Sequence, residues 1–196
     1  MKISSKSRTL LVTSASVLAL AGGSNAATIQ FDYDIEDFGD VASNIVTETF
    51  SLPEVGSINS VSVELSHSYH GDIVFGMVGP DGDVYNFLAQ NGGGGSDFGD
   101  GTEFLTGLET YTFVENGSGA LPTAANPIPG GTYDALAWGD GSVAGDWTMT
   151  LDDSYDADDG AIGSIVIDYT PAAIPEPSTS LLGGFAALAL LRRRRK

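Results

Sequence analysis

Between two terminal segments of different character, apolar residues recur at every second position, and this spacing confines the chain to strands. Ile29, Phe31 and Tyr33 alternate with Gln30, Asp32 and Asp34. Val61, Val63 and Leu65 alternate with Ser62, Glu64 and Ser66, and Trp147, Met149 and Leu151 with Thr148 and Thr150. Ile165, Ile167 and Tyr169 alternate with Val166 and Asp168. A period of two puts one face of a strand into a core and leaves the other toward water. Ile73–Val78 is apolar on both faces apart from Gly76, which suits a central strand. Val46–Leu52, Val84–Leu88 and Glu109–Val114 are further candidates. Pro80-Asp81-Gly82, Asn91–Gly95, Asn116-Gly117 and Gly139–Gly141 are turn signals between them. No stretch outside the termini carries a helical period. About eight short strands then predict an all-β fold, a β-sandwich of jelly-roll type.

Charge narrows the function classes. Of the 8 Lys and Arg, three stand at Lys2, Lys6 and Arg8 and five at Arg192–Arg195 and Lys196, so none lies between Thr9 and Leu191. All 26 acids lie in that same stretch, and all but Glu176 fall ahead of the C-terminal Pro-Glu-Pro. The body is thus far more negative than the whole-chain value of −18 suggests. No Lys or Arg ion pair can form in it, and nucleic acid is excluded as a partner, because phosphate binding rests on Lys and Arg. Self-repulsion has to be relieved by screening, protonation or bound cations. A solvated acidic surface and a set of divalent-cation sites both answer that need. The chain has no Cys, so no disulfide contributes.

The termini carry addresses. Lys2, Lys6 and Arg8 precede the apolar run Leu10–Ala21, and Ser24-Asn25-Ala26 offers small residues for cleavage, the pattern of a secretory signal peptide over residues 1–26. At the other end, Pro175-Glu176-Pro177 is followed by the uncharged run Leu181–Leu191 and the basic cluster Arg192, Arg193, Arg194, Arg195, Lys196. As a helix, those eleven residues would cover about half of a ~30 Å hydrocarbon core. The basic end would stay cytoplasmic. A weak tail anchor would explain the run and the charge. The three parts in this order also resemble the PEP-CTERM sorting signal of Gram-negative bacteria. That resemblance implies a short transmembrane helix over 175–196, an exosortase-type enzyme cutting near Pro-Glu-Pro, and delivery from the inner membrane to the cell surface or extracellular matrix, as in a biofilm. Residues 27–174 remain as one domain of ordinary size.

The body has its own resemblance. Leu65-Ser66-His67-Ser68-Tyr69-His70-Gly71-Asp72-Ile73, followed by Gly79-Pro80-Asp81-Gly82, is similar to the opening of the P domain (Homo B domain) of subtilisin-like proprotein convertases. Gly131-Thr132-Tyr133, Leu136, Gly145–Leu151, Asp153, Asp159-Gly160 and Ile162 follow in that family's closing order. Ile165 stands where the family usually has Trp, and Val114-Glu115 where it has an acidic pair. The resemblance implies a jelly-roll, galactose-binding-domain-like sandwich that stabilises rather than catalyses.

Two loops are long for a compact domain: Gln90–Gly107, rich in Gly, and Ala120–Tyr133, rich in Pro. The first is no phosphate loop, since it lacks the Gly-Lys-Ser/Thr ending. Asp152, Asp153, Asp156, Asp158 and Asp159 fall within eight residues before Gly160, and hard oxygen ligands converging from one loop suit calcium. Asp72, Asp97 and Asp100 form a second candidate group if the Gly-rich loop folds back over the Gly71-Asp72 turn. Each group reads equally as a solvated acidic turn. His67 and His70 are the only histidines; a Ser-His-Asp triad would need one of them oriented by a carboxylate and facing a nucleophile. A zinc site from His67, His70 and Asp72 is disfavoured, because neighbouring strand positions point apart. A carboxylate-pair glycosidase is conceivable, although so many acids make any pair uninformative. Trp147 reads as core; Trp138, beside Gly139-Asp140-Gly141, reads as core or as a platform on which a sugar stacks. The expectation is a non-catalytic, exported β-sandwich that meets polysaccharide or surface proteins, with Ca²⁺ reinforcing its loops. A calcium-dependent carbohydrate-binding module and a hydrolase of unknown substrate are the alternatives.

Overall fold

The computed structural model describes residues 26–36, 45–52, 55–90, 97–99, 107–139, 144–155 and 160–171. The strands are Ala27–Glu36 (β1), Val46–Leu52 (β2), Val55–His67 (β3), Ile73–Val78 (β4), Val84–Leu88 (β5), Glu109–Val114 (β6), Gly131–Asp134 (β7), Gly145–Asp153 (β8) and Gly160–Pro171 (β9). A single 3-10 turn, His70–Asp72, separates β3 from β4. The strands form two sheets, one ordered β1-β9-β3-β6-β7 and the other β2-β8-β4-β5. Every pairing is antiparallel except β6 with β7. The described body is all-β in two layers, as the alternation predicts.

Burial follows the period of two. Val61, Val63 and Leu65 of β3 are buried, as are Trp147, Met149 and Leu151 of β8 and Ile165 and Ile167 of β9. The core between the sheets is largely aromatic. Phe31 of the larger sheet meets Phe50 of the smaller at 5.7 Å between ring centroids, and Phe113 meets Phe75 at 6.3 Å and Phe87 at 5.6 Å. Such ring pairs add about 0.5–1.5 kcal/mol each beyond the area they bury. Strand β4 lies between β8 and β5, the central place its apolar run predicts. Its second face is only partly covered: Val74 and Gly76 are half-buried and Val78 is exposed.

Two features escape the alternation. Strand β7 has four residues, Gly-Thr-Tyr-Asp, and a single buried ring, Tyr133, too little to show a period. Strand β3 starts at Val55, but irregularities between Val55/Ser57, Ile58/Ser60 and Val63/Leu65 interrupt its register with β9, so the pairing runs unbroken only over short stretches, the longest being Ser60–Val63 and Leu65–His67.

Candidate functional site

Buried polar groups gather at the end of the sandwich where β3 finishes. In β8 the inward sequence Trp147, Met149, Leu151 continues to Asp153, so its carboxylate is carried into the interior and is only 1% exposed. His67, at the last position of β3, is fully buried opposite it, with Nε2 3.3 Å from Asp153 Oδ2. The Tyr69 N–H donates to His67 Nδ1 at 3.1 Å. A proton on Nε2 is donated to Asp153, and one on Nδ1 would be donated to the Tyr69 carbonyl, 3.0 Å away. Asp153 Oδ1 accepts the Tyr155 N–H at 3.1 Å. One side-chain pair therefore ties the larger sheet to the smaller. Gly160 closes over it: a Cβ there would lie 2.5 Å from His67 Cδ2 and 2.5 Å from the Ser66 carbonyl oxygen. The Ser154 N–H donates to the carbonyl of Asp72, which joins the 3-10 turn to the end of β8.

Both long loops are fastened to the same end. Phe98 exchanges two backbone hydrogen bonds with His67, and its ring lies edge-on to His70 at 6.1 Å and to Tyr111 at 4.8 Å. The buried Tyr111 hydroxyl accepts the Gly99 N–H at 2.6 Å and donates to the Ile128 carbonyl at 2.8 Å. Burial pushes the Tyr111 phenol well above its ordinary range, which keeps it protonated for that donation. The Ile128 N–H returns to the Asp97 carbonyl. Beside this network opens a cleft of about 380 Å3, between the end of β5, the 120–123 segment and β7.

The comparisons with known proteins bear on the termini more than on this end. Residues 173–196 match the PEP-CTERM protein-sorting motif. The match implies an exported protein sorted through an exosortase, with a membrane-anchored processing stage in Gram-negative bacteria. It begins two residues ahead of Pro175 and takes in Pro175, Glu176, Pro177 and Arg192–Arg195. No curated protein matches the chain. Among solved structures, it is similar to the Aeromonas sobria serine protease in complex with its chaperone, at 13% identity and a TM-score of 0.36, over 76% of this chain and 27% of that one. The same protease without the chaperone gives 13% identity and a TM-score of 0.34, over 75% of this chain and 26% of that one. The chain thus spans about a quarter of the length of those structures.

Of the residues expected to bind metal, Asp72, Asp97, Asp152 and Asp153 are described; Asp100, Asp156, Asp158 and Asp159 lie outside the described residues. So do the signal peptide, the PEP-CTERM motif and its expected apolar helix. Among the described residues no helix is long and apolar enough to cross a membrane, and no three His, Asp or Glu side chains converge as a metal site. Asp72 and Asp153 flank the buried end, and Asp97 precedes the Phe98 that lies over it. Asp153 Oδ2 faces His67 and Oδ1 accepts the Tyr155 N–H. Trp138 is half-buried, edge-on to Tyr85 at 5.1 Å and to Phe87 at 6.3 Å.

Asp152 is half-buried on the outer face of β8. Burial, and then the neighbouring Asp153 charge, hold its carboxyl above the usual carboxylate range. A carboxyl raised in the fold binds its proton more tightly folded than unfolded. Its contribution is present at low pH and is lost as pH rises through the folded value. Asp152→Asn is expected to raise Tm by about 1–2 °C at pH 7 and to leave it unchanged near pH 3. Calorimetry at the two pH values checks this, and an unchanged or lowered Tm at pH 7 would contradict it.

The Asp153–His67 pair and the Tyr111 hydroxyl are the site residues that sequence reasoning did not assemble. Asp153 had a signal: it occupies an inward slot of an alternating strand, where a carboxylate requires a partner. Tyr111 had none, since its partners come from loops without a period.

Proposed function

We propose that this exported chain carries a non-catalytic jelly-roll sandwich of the P-domain type to the cell surface or matrix, where it binds polysaccharide or surface proteins and calcium reinforces its acidic loops. The PEP-CTERM match is the observation that carries the reading, because it makes the body cargo for sorting. The all-β, two-layer body and the ordered P-domain motifs support the fold assignment. The absence of catalysis is supported by His67: its ring is fully buried, and both nitrogens are engaged, with Asp153 and with the Tyr69 backbone. A triad histidine needs one nitrogen turned toward a nucleophile. Calcium is supported by charge. An acidic body without Lys or Arg gains from a bound cation, and Asp156, Asp158 and Asp159 follow directly on the buried end.

A thermal melt of the 27–173 segment in EDTA, Mg²⁺, Ca²⁺ and matched NaCl tests the calcium part. A site filled at a hundred times its dissociation constant adds about 2.7 kcal/mol, roughly 5–10 °C for a domain of this size. Ca²⁺ is expected to exceed Mg²⁺ and NaCl by that margin, and Asp156→Asn with Asp158→Asn to abolish the excess. Equal shifts in NaCl and Ca²⁺ would reduce the acidity to a solvated surface. A glycan array read with and without Ca²⁺ tests the binding part. A single discrete glycan would identify a specific carbohydrate-binding module instead.

A further inference from the structure

The cleft beside β7 combines an apolar lining with one fixed charge. Phe87 and Leu121 form apolar parts of its wall, and Leu136 stands at its edge 62% exposed. Gln90 and His70 contribute polar edges; the His70 ring is itself 4% exposed and turned edge-on to Phe98. Asp134 is the only carboxylate among the described residues of the lining. Its Oδ1 accepts the Gly117 N–H, while no described residue hydrogen-bonds Oδ2. A volume of about 380 Å3 falls in the range of small-ligand sites, and apolar walls with a few placed polar groups are the usual composition of such sites.

We propose that this cleft binds an alkylammonium group, its apolar stem against Leu121 and Leu136 and its charge at Asp134 Oδ2. Three observations select this chemistry. An anionic ligand meets Asp134 and finds no Lys or Arg anywhere in the body. A neutral polar ligand would leave the carboxylate oxygen to water and gain little from the leucines. A cation on an apolar stem uses both, and the negative field of the body draws it in. The same group is carried by free organic amines and by the lysine side chains of a partner protein. The proposal requires neither calcium nor the reading of the sorting motif.

The test is an NMR titration of the full chain with n-hexylammonium, 1-hexanol and hexanoate, following the amides of Leu121, Asp134 and Leu136. Hexylammonium is expected to shift these amides saturably, hexanol to bind about tenfold more weakly or less, and hexanoate not at all. Asp134→Asn keeps an acceptor for Gly117 while removing the charge, and is expected to weaken hexylammonium binding by about tenfold. Leu136→Ser, at an exposed position that does not endanger folding, is expected to weaken it by about threefold. Asp32→Asn, on the outer edge of β1, is expected to leave it unchanged. Equal loss in Asp134→Asn and Asp32→Asn would show diffuse attraction to an acidic body and overturn the site, as would equal affinity for hexanol or no saturable shift. Adding N-acetyl-lysine amide separates the sources. Tighter binding than hexylammonium upholds the cleft as a lysine acceptor on a partner protein, and weaker binding upholds it as a site for free amines.

Discussion

Replacing His67 with alanine is expected to cost about 3–5 kcal/mol and to lower Tm by about 6–20 °C. The size follows from what remains. Asp153 is 1% exposed and would keep only the Tyr155 N–H, in a body without a Lys or Arg to turn to. An uncompensated buried carboxylate is among the few single-site lesions that reach this range. Asp153→Asn retains shape and an acceptor and is expected to cost less, about 1–2 kcal/mol. Urea unfolding of the two alanine single mutants and the double mutant measures the pair itself, and a coupling of at least about 1 kcal/mol is expected. The loss should also travel, because His67 holds Phe98 by two backbone bonds. Faster hydrogen exchange at the Phe98 amide would register that loosening. Additive single mutants within about 0.5 kcal/mol would show that the pair adds nothing beyond packing.

This pair also marks how far the sequence could be read. The strands were legible wherever a face alternates without interruption: Trp147, Met149 and Leu151 point inward as their spacing requires. The same spacing carries Asp153 inward. A carboxylate in such a slot needs a partner, and the body offers only two imidazoles as side chains that could become cationic. The choice between His67 and His70 was not legible, because it depends on β3 and β8 ending side by side in different sheets. No local period encodes the pairing of layers. Strand β7 was missed for a related reason. Its four residues gain their place from parallel pairing with β6, a long-range contact. The two long loops were recognisable as exceptional from Gly and Pro, but their attachment was not, since Tyr111 reads as one more inward aromatic. Only the folded chain shows its hydroxyl between Gly99 and Ile128. The tail lies at the opposite extreme. Pro-Glu-Pro, the apolar run and the Arg cluster are read by their linear order, so the sorting motif was available from sequence alone.

Trp147→Ala is expected to be the second severe lesion, at about 3–5 kcal/mol. The indole is fully buried, stacked on Phe50 at 6.4 Å with 13° between planes and tilted against Tyr85 at 5.7 Å. On its remaining side the chain makes room by having no side chain: a Cβ at Gly79 would lie 3.0 Å from Trp147 Cη2. Walls fixed by a strand on one side and a turn on the other cannot collapse into the space, so the cavity term stays large. The indole also carries a cost of its own, because its buried Nε1–H finds no acceptor among the described residues. Trp147→Phe removes that donor while keeping most of the ring volume, and the two effects oppose each other. It is expected to cost only about 1–2 kcal/mol. Trp138 is the other of the two tryptophans, and its half-buried ring reports unfolding by fluorescence in both variants. If phenylalanine proved as damaging as alanine, shape at the Phe50–Tyr85 contact would govern the site and the unpaired donor would be irrelevant. If phenylalanine stabilised the protein, the unpaired N–H would outweigh the lost volume.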